Sequence, residues 1–347
     1  MVKLLAFGFI GLAALSCSKG DGAQDYQKPV EFSGYTARSM TKAGASFVTG
    51  VELPAGQSFG VYAYNTGSRT DFKPNQDTIN TYGKFMTNVQ VTYSGDGASN
   101  PEKYPYAYRY WPNSETSNRL AFFAYYPFDG AGITKTGFAD FGFTVQDAPA
   151  SQVDFMLSNI VPNQMYSSTN STTGVVKLNF YHMLTQIRFK GITDAPSGAT
   201  VKITSLKVVD VVNKGTLAPD ATATSSAWTP DETSTSNYTL TLQDVALPST
   251  AVDPSAEAVA LADATQTLLM VPQTLGDGSA LEVEYTITTT NPDRTITQTQ
   301  TLILKDAIAA WERNQQIVYT LNIGLHPIEI SASAVDWTDD EYIIIVE

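Results

Sequence analysis

The chain is poor in the residues that carry most chemistry. It holds one cysteine and two histidines in 347 residues. No disulfide can form within it, and zinc sites built from Cys and His clusters are excluded. His182 and His326 are far apart, with no H-E-x-x-H pattern around either. No glycine run continues into the lysine and hydroxyl of a phosphate loop, so Gly20-Asp21-Gly22, Gly95-Asp96-Gly97 and Gly276-Asp277-Gly278 read as turn formers. Basic residues are scarce, 21 against 34 acidic, for a net charge of −13. Nucleic-acid binding wants the opposite balance and is not expected. Helical periodicity is also scarce. The best candidate is Asp306–Arg313, about two turns, and a shorter turn is expected within Ala148–Leu157. Long apolar runs are absent except at the start.

That start sets an expected compartment. Lys3 precedes an unbroken apolar or small run, Leu4–Leu15. The run falls short of the roughly 20 residues that cross a bilayer of about 30 Å, and it has the length of a signal-peptide core. Ala14-Leu15-Ser16-Cys17 follows, and the only cysteine stands where a lipoprotein cysteine would be acylated. The segment resembles the lipobox of bacterial lipoproteins, departing from it at Ala14, where Leu or Val is usual. The reading is a lipoprotein signal peptide over residues 1–16, lipidation at Cys17 and a flexible polar tether over 17–28 (Ser18–Lys28 being Gly-containing and without apolar rhythm).

What the sequence does have is alternation. Hydrophobic residues make up 43% and charged residues only 16%, the balance of half-buried strands with hydroxyl-rich outer faces. Leu281, Val283, Tyr285 and Ile287 point one way while Glu282, Glu284, Thr286 and Thr288 point the other. After the turn Asn291-Pro292-Asp293, the segment Thr295–Leu304 returns as a hairpin partner. Ile317, Tyr319, Leu321 and Ile323 alternate too, as do Tyr238, Leu240 and Leu242. Leu120–Tyr126 is apolar on both faces, which predicts a strand in the middle of a covered sheet. Val176, Leu178, Phe180, His182 and Leu184 share a face, but Ile187 and Phe189 fall on the opposite parity, so the chain must turn a corner between them. Asn213–Ser236 and Ala246–Ala264 read as long surface loops. Many short strands between turn residues give an all-β fold of the sandwich type. The polar run Pro162–Gly174 suggests the division, giving one sandwich over 29–165 and a second over 166–347.

Chemical candidates are few. His182 sits on an apolar strand face and reads as a satisfied core histidine, with a Ser-His-Asp triad as the sharper alternative and no G-x-S-x-G nucleophile elbow expected around any serine. His326, before Pro327, reads as a linker residue. Asp339-Asp340-Glu341 is the densest acidic cluster, without the ligand spacing of an EF-hand, and reads as a solvated turn. The aromatics of Tyr104–Trp111 and Leu120–Phe128 suit carbohydrate stacking if exposed and a core if buried, and the core is favoured. No metal, cofactor or catalytic residue is expected.

Several motifs in order resemble one family. They are Tyr110-Trp111-Pro112 with the later Leu120–Pro127; Asp154-Phe155-Met156; Leu178–Ile187; Leu268–Gln273; and Trp311 with Tyr319–Ile323. Together they resemble the fimbrillin family, the subunits of type V pili of Bacteroides-type bacteria, from the lipobox to the end. The resemblance implies two transthyretin-like β-sandwich domains in tandem and a cell-surface, outer-membrane location for a lipid-anchored precursor. It implies that a trypsin-like protease cuts after a basic residue, that the first strand leaves, and that a strand from another pilus subunit fills the groove. Carried onto this chain, the leaving strand is about Pro29–Ala37 with Val30 and Phe32 as anchors, and Arg38 then Lys42 are the cut-site candidates. The donor candidate is Tyr342, Ile343, Ile344, Ile345 and Val346, an apolar strand that must find a partner. It is either donated or the last strand of its own sandwich, or each in turn. Rival readings are a non-polymerising surface lipoprotein or tip adhesin that binds glycan or host protein, and a glycan hydrolase with paired carboxylates.

Overall fold

A computed structural model describes residues 29–36, 53, 56–67, 83–93, 109–112, 119–135, 141–165, 175–219, 226–324 and 328–337. In chain order the strands of the first half are β1 (Glu31–Thr36), β2 (Ser58–Gly67), β3 (Gly83–Thr92), β4 (Arg119–Tyr126), β5 (Ile133–Lys135), β6 (Phe141–Thr144), β7 (Met156–Ser158), β8 (Val161–Gln164) and β9 (Val175–His182). Then come β10 (Thr185–Ile192), β11 (Ala199–Val212), β12 (Lys214–Ala218), β13 (Ala227–Pro230), β14 (Thr235–Thr239), β15 (Val259–Ala260), β16 (Leu268–Met270) and β17 (Gln273–Thr274). The last are β18 (Ala280–Thr290), β19 (Asp293–Ile303), β20 (Ala310–Trp311), β21 (Gln315–Asn322) and β22 (Glu329–Asp336). The helical turns described are single 3-10 turns at Pro149–Ser151, Ala264–Gln266 and Leu304–Asp306. The fold is all-β, as the alternation requires.

The first sheet has seven strands in the order β1-β9-β7-β4-β2-β3, with β8 also on β4. β4 is central, and Leu120 through Tyr125 are all buried, because residues of both parities meet a core. Phe122 and Ala124 face a smaller cluster with Val61, Ala63, Leu178 and Phe180. Phe123 and Tyr125 face a larger one, where Phe141 stands 5.8 Å and 5.4 Å from them, ring centre to ring centre. Phe141 belongs to a four-stranded sheet, β13-β12-β6-β5, that covers this second face.

The larger cluster continues between two more sheets. One has β15-β10-β21-β22, with β16 on β10; the other has β14-β11-β18-β19. Leu281, Val283, Tyr285 and Ile287 of β18 are buried, as are Ile317, Tyr319 and Leu321 of β21. β18 and β19 form the expected hairpin, in register without a break from Ala280↔Ile303 to Thr290↔Asp293.

The corner expected between Leu184 and Ile187 is present but lies earlier, between His182 and Thr185, so that Leu184 already belongs to the other core. β9 ends at His182 in the first sheet and β10 begins at Thr185 in another. Val176, Leu178 and Phe180 enter the smaller cluster, whereas Met183, Leu184, Ile187 and Phe189 enter the larger. The parity change in the sequence is thus a change of core. Pairings also cross the line between 165 and 166: β9 completes the first sheet, and β12 pairs with β6 from Lys214↔Thr144 to Leu217↔Phe141.

Two local expectations are corrected. Asp306–Arg313 is not a helix. Only Leu304–Asp306 turns, and Ala310–Trp311 pairs as β20 with β17. The favourable composition is overruled by burial of Trp311, whose Nε1 donates to the Tyr319 hydroxyl at 2.9 Å. Asn213–Ser236 is not a simple surface loop either, since it contributes β12, β13 and the start of β14. Leu217 is buried, and the half-buried Trp228 packs on Phe143 and Phe155. Ala246–Ala264 is mostly irregular, yet Leu247 and Leu261 are buried against Gly191, where a Cβ would lie 2.7 Å and 2.8 Å from their methyls. Among the described residues no helix is long and apolar enough to cross a membrane.

Candidate functional site

The feature that stands apart is β1. It lies at the edge of the seven-stranded sheet and runs parallel to β9, from Glu31↔Val175 to Thr36↔Phe180. Every other pair described in that sheet is antiparallel. A parallel partner so distant in sequence joins by a long-range contact alone. On its other side β1 meets a short segment: Val30 N donates to Arg109 O at 2.8 Å, and Pro29 bridges Tyr110.

The side chains of β1 alternate as strand geometry demands. Val30 and Phe32 point inward and are 0% and 4% exposed. Phe32 stands edge-on to Phe59 at 6.4 Å and to Phe122 at 5.9 Å. Phe59 in turn meets Phe180 at 5.3 Å, and Trp111 meets Phe122 at 5.7 Å. Around these rings lie Val61, Leu120, Val176 and Leu178. Without β1 this is an aromatic-floored groove open along the free edge of β9. Burial of a Val and a Phe contributes about 1.5–3 kcal/mol each, enough to close the groove but modest against a whole core.

A second arrangement lies where the chain crosses between cores. His182 is 2% exposed. Its Nδ1 is 2.8 Å from Oδ2 of Asp154, and its ring stacks on Trp337 at 3.9 Å with planes 7° apart. Trp337 N donates to Asn314 O, and Asn314 N donates to Leu184 O. The histidine is a core residue gripped by three chain segments. Asp154 and His182 both fall within the family-like motifs, but nothing in their spacing announces the pairing.

Other polar groups are structural. Tyr125 donates to Asn88 Oδ1 at 2.7 Å and accepts from Lys135 Nζ at 2.8 Å, and Lys135 also pairs with Asp129. The hydrogen bond from Lys135 holds the Asp129 carboxyl below its usual range, while burial pushes the Tyr125 phenol up. Gly56-Gln57-Ser58-Phe59-Gly60 has the G-x-S-x-G form of a nucleophile elbow. Ser58 instead opens β2 and its hydroxyl is shared with Thr92 Oγ1 at 3.0 Å, on a strand rather than a strand-to-helix turn. The expectation that no serine stands in such a pattern is thereby corrected, although the geometry here is not that of a nucleophile elbow. Among the described residues no three His, Cys, Asp or Glu side chains gather as a metal site.

Of the residues singled out from sequence, Val30 and Phe32 are brought to the groove and Trp111 to its wall. Cys17, Arg38, Lys42 and Tyr342–Val346 lie outside the described residues, as do His326 and Asp339–Glu341. Trp111 is buried, in line with a core role, while its neighbour Tyr110 is 47% exposed.

Fold and groove together define an all-β protein of the sandwich type in which β1 closes one sheet edge. The fimbrillin-like family model matches residues 45–337, and the chain belongs to that family. Among solved structures, a fimbrial protein from Bacteroides vulgatus matches at 21% identity and a TM-score of 0.60, over 90% of this chain and 100% of that one. A protein from Bacteroides uniformis assigned to cell adhesion matches at 16% identity and a TM-score of 0.52, over 91% and 99%. At these identities the likeness is one of fold. No curated protein sequence matches the chain.

Proposed function

We propose that the chain is a structural subunit of a cell-surface pilus, polymerised by strand exchange and supporting adhesion. The observation that carries the reading is β1: an edge strand held by a single neighbouring strand, whose two anchors seal an aromatic groove. Family membership supports association with other pilus subunits at the cell surface. In this reading the chain is exported as a lipoprotein precursor acylated at Cys17 and carried to the outer membrane. A trypsin-like protease cuts after Arg38 or Lys42, β1 departs, and Tyr342–Val346 of another subunit enters the groove, gaining main-chain hydrogen bonds along β9 and pockets for alternate side chains.

The test is limited trypsin digestion of a soluble form beginning at Ser18, with and without residues 342–347, followed by intact mass and unheated gel electrophoresis. A clean stop after Arg38 or Lys42, with a ladder of multimers only when the tail is present, is the expected result. Resistance to cutting there, with a monomer in both forms, overturns the reading.

A further inference from the structure

β1 fits its groove incompletely. Trp111 is 3% exposed, yet its indole Nε1 has no hydrogen-bond partner among the described residues. Ser33 Oγ, on β1 itself, is likewise buried without one. Two residues after Phe32, in register with Leu178, β1 has Gly34, which brings no side chain. A buried donor that lost water and gained no acceptor is a standing cost, and a glycine inside a strand packs nothing. Trp111 and Phe32 both stand edge-on to Phe122, at 5.7 Å and 5.9 Å. The unsatisfied indole therefore borders the pocket that β1 fills.

We propose that Trp111 is the specificity residue of the groove, selecting a strand that brings an oxygen acceptor to its Nε1. We assign that strand to residues 342–346 of a second copy, entering with Tyr342, Ile344 and Val346 inward and the Tyr342 hydroxyl accepting from Trp111. The inference rests on the pilus reading and adds which face of the tail enters and why it displaces β1. The groove wants consecutive large apolar side chains and one acceptor. The face of Tyr342, Ile344 and Val346 supplies three, one of them with a hydroxyl. The other face, Ile343 and Ile345, has no polar atom before the charge of Glu347. β1, with two anchors, a glycine, one unpaired hydroxyl of its own and no acceptor for the Trp111 indole, is a placeholder that the better strand outcompetes.

The test uses the full chain after trypsin treatment and two fluorescent peptides of residues 338–347, one native and one carrying Tyr342→Phe, read by anisotropy. The native peptide is expected to bind about tenfold more tightly, the effect of leaving one buried donor unpaired. The difference is expected to vanish on Trp111→Phe protein, as a double-mutant cycle requires. Equal binding of both peptides to the unmodified chain overturns the inference while leaving the pilus reading in place, and this comparison needs no protein variant. A tenfold difference that persists on Trp111→Phe also overturns it, since the hydroxyl then bonds elsewhere. Failure of both peptides to bind a chain that has lost β1 overturns the pilus reading itself.

Discussion

Three buried or half-buried tryptophans show how differently the two cores are finished. In the larger core, Trp311 Nε1 donates to the Tyr319 hydroxyl at 2.9 Å and Trp228 Nε1 to the Met183 carbonyl at 2.6 Å. Gln273 there is satisfied at both ends, accepting from Val212 N and donating to the Val212 and Val271 carbonyls. In the smaller core, Trp111 is as deeply buried as Trp311 and its N–H meets nothing described. The contrast is one of indoles alone, since the Tyr238 hydroxyl of the larger core is also buried without a hydrogen-bond partner among the described residues. The smaller is closed by an edge strand, and there the Trp111 indole and the Ser33 hydroxyl are left unpaired; under the proposed function this is the strand that leaves.

The largest expected effect that sharpens this contrast comes from alkali. Tyr62, Tyr64, Tyr125, Tyr181, Tyr238 and Tyr319 all belong to the larger core. Burial pushes each phenol up, Tyr64 to about 12. A phenol in the unfolded chain titrates near 10. The stability conferred by keeping these groups neutral is therefore full below about pH 10 and is lost as pH rises through the folded values. Phenolate absorbance and circular dichroism from pH 9 to 12 should change together, as one cooperative transition. Complete phenolate formation across all 18 tyrosines with the fold intact would contradict it.

Next in size, Trp311→Ala should lower stability by about 3–5 kcal/mol, a large-to-small change in a packed core, read as a fall in the urea midpoint. The pair Val30→Ala and Phe32→Ala should instead speed tryptic loss of the first strand while moving the main urea transition much less. If both changes shift the main midpoint equally, β1 is an ordinary core strand and the comparison breaks. Tyr319→Phe should cost about 1–3 kcal/mol by orphaning the Trp311 N–H, measured in the same way; no change would mean the pairing in the larger core is not what distinguishes it. The smallest effect serves as a control. Lys202→Ala removes a pair with the 87% exposed Asp244 and should cost under about 0.5 kcal/mol by urea titration.

Much of this was legible beforehand because strand alternation is written locally. The faces of β18 and β21, the central place of β4 and the hairpin at Asn291–Asp293 follow from period-two patterns and turn residues alone. The anchors Val30 and Phe32 were found from the family-like order of motifs. The helix expected at Asp306–Arg313 failed because a two-residue strand pairing and the indole of Trp311 outweigh local propensity. The strands within Asn213–Ser236 were hidden because their polar outer positions look like a loop until Leu217 and Trp228 find a core.

The sequence by itself determined that the chain is all-β, where its strands alternate, and that the parity of buried residues changes before Ile187, though the turn itself comes earlier than Leu184. Each depends only on neighbours along the chain, where side chains two apart share a face. Tertiary structure alone decided that β1 pairs in parallel with β9, that Asp154 meets His182 under Trp337, and that Trp111 is buried with its donor unpaired. These are meetings of residues distant in sequence. Whether a buried polar atom is satisfied depends on what the fold carries to it, and no spacing along the chain records that.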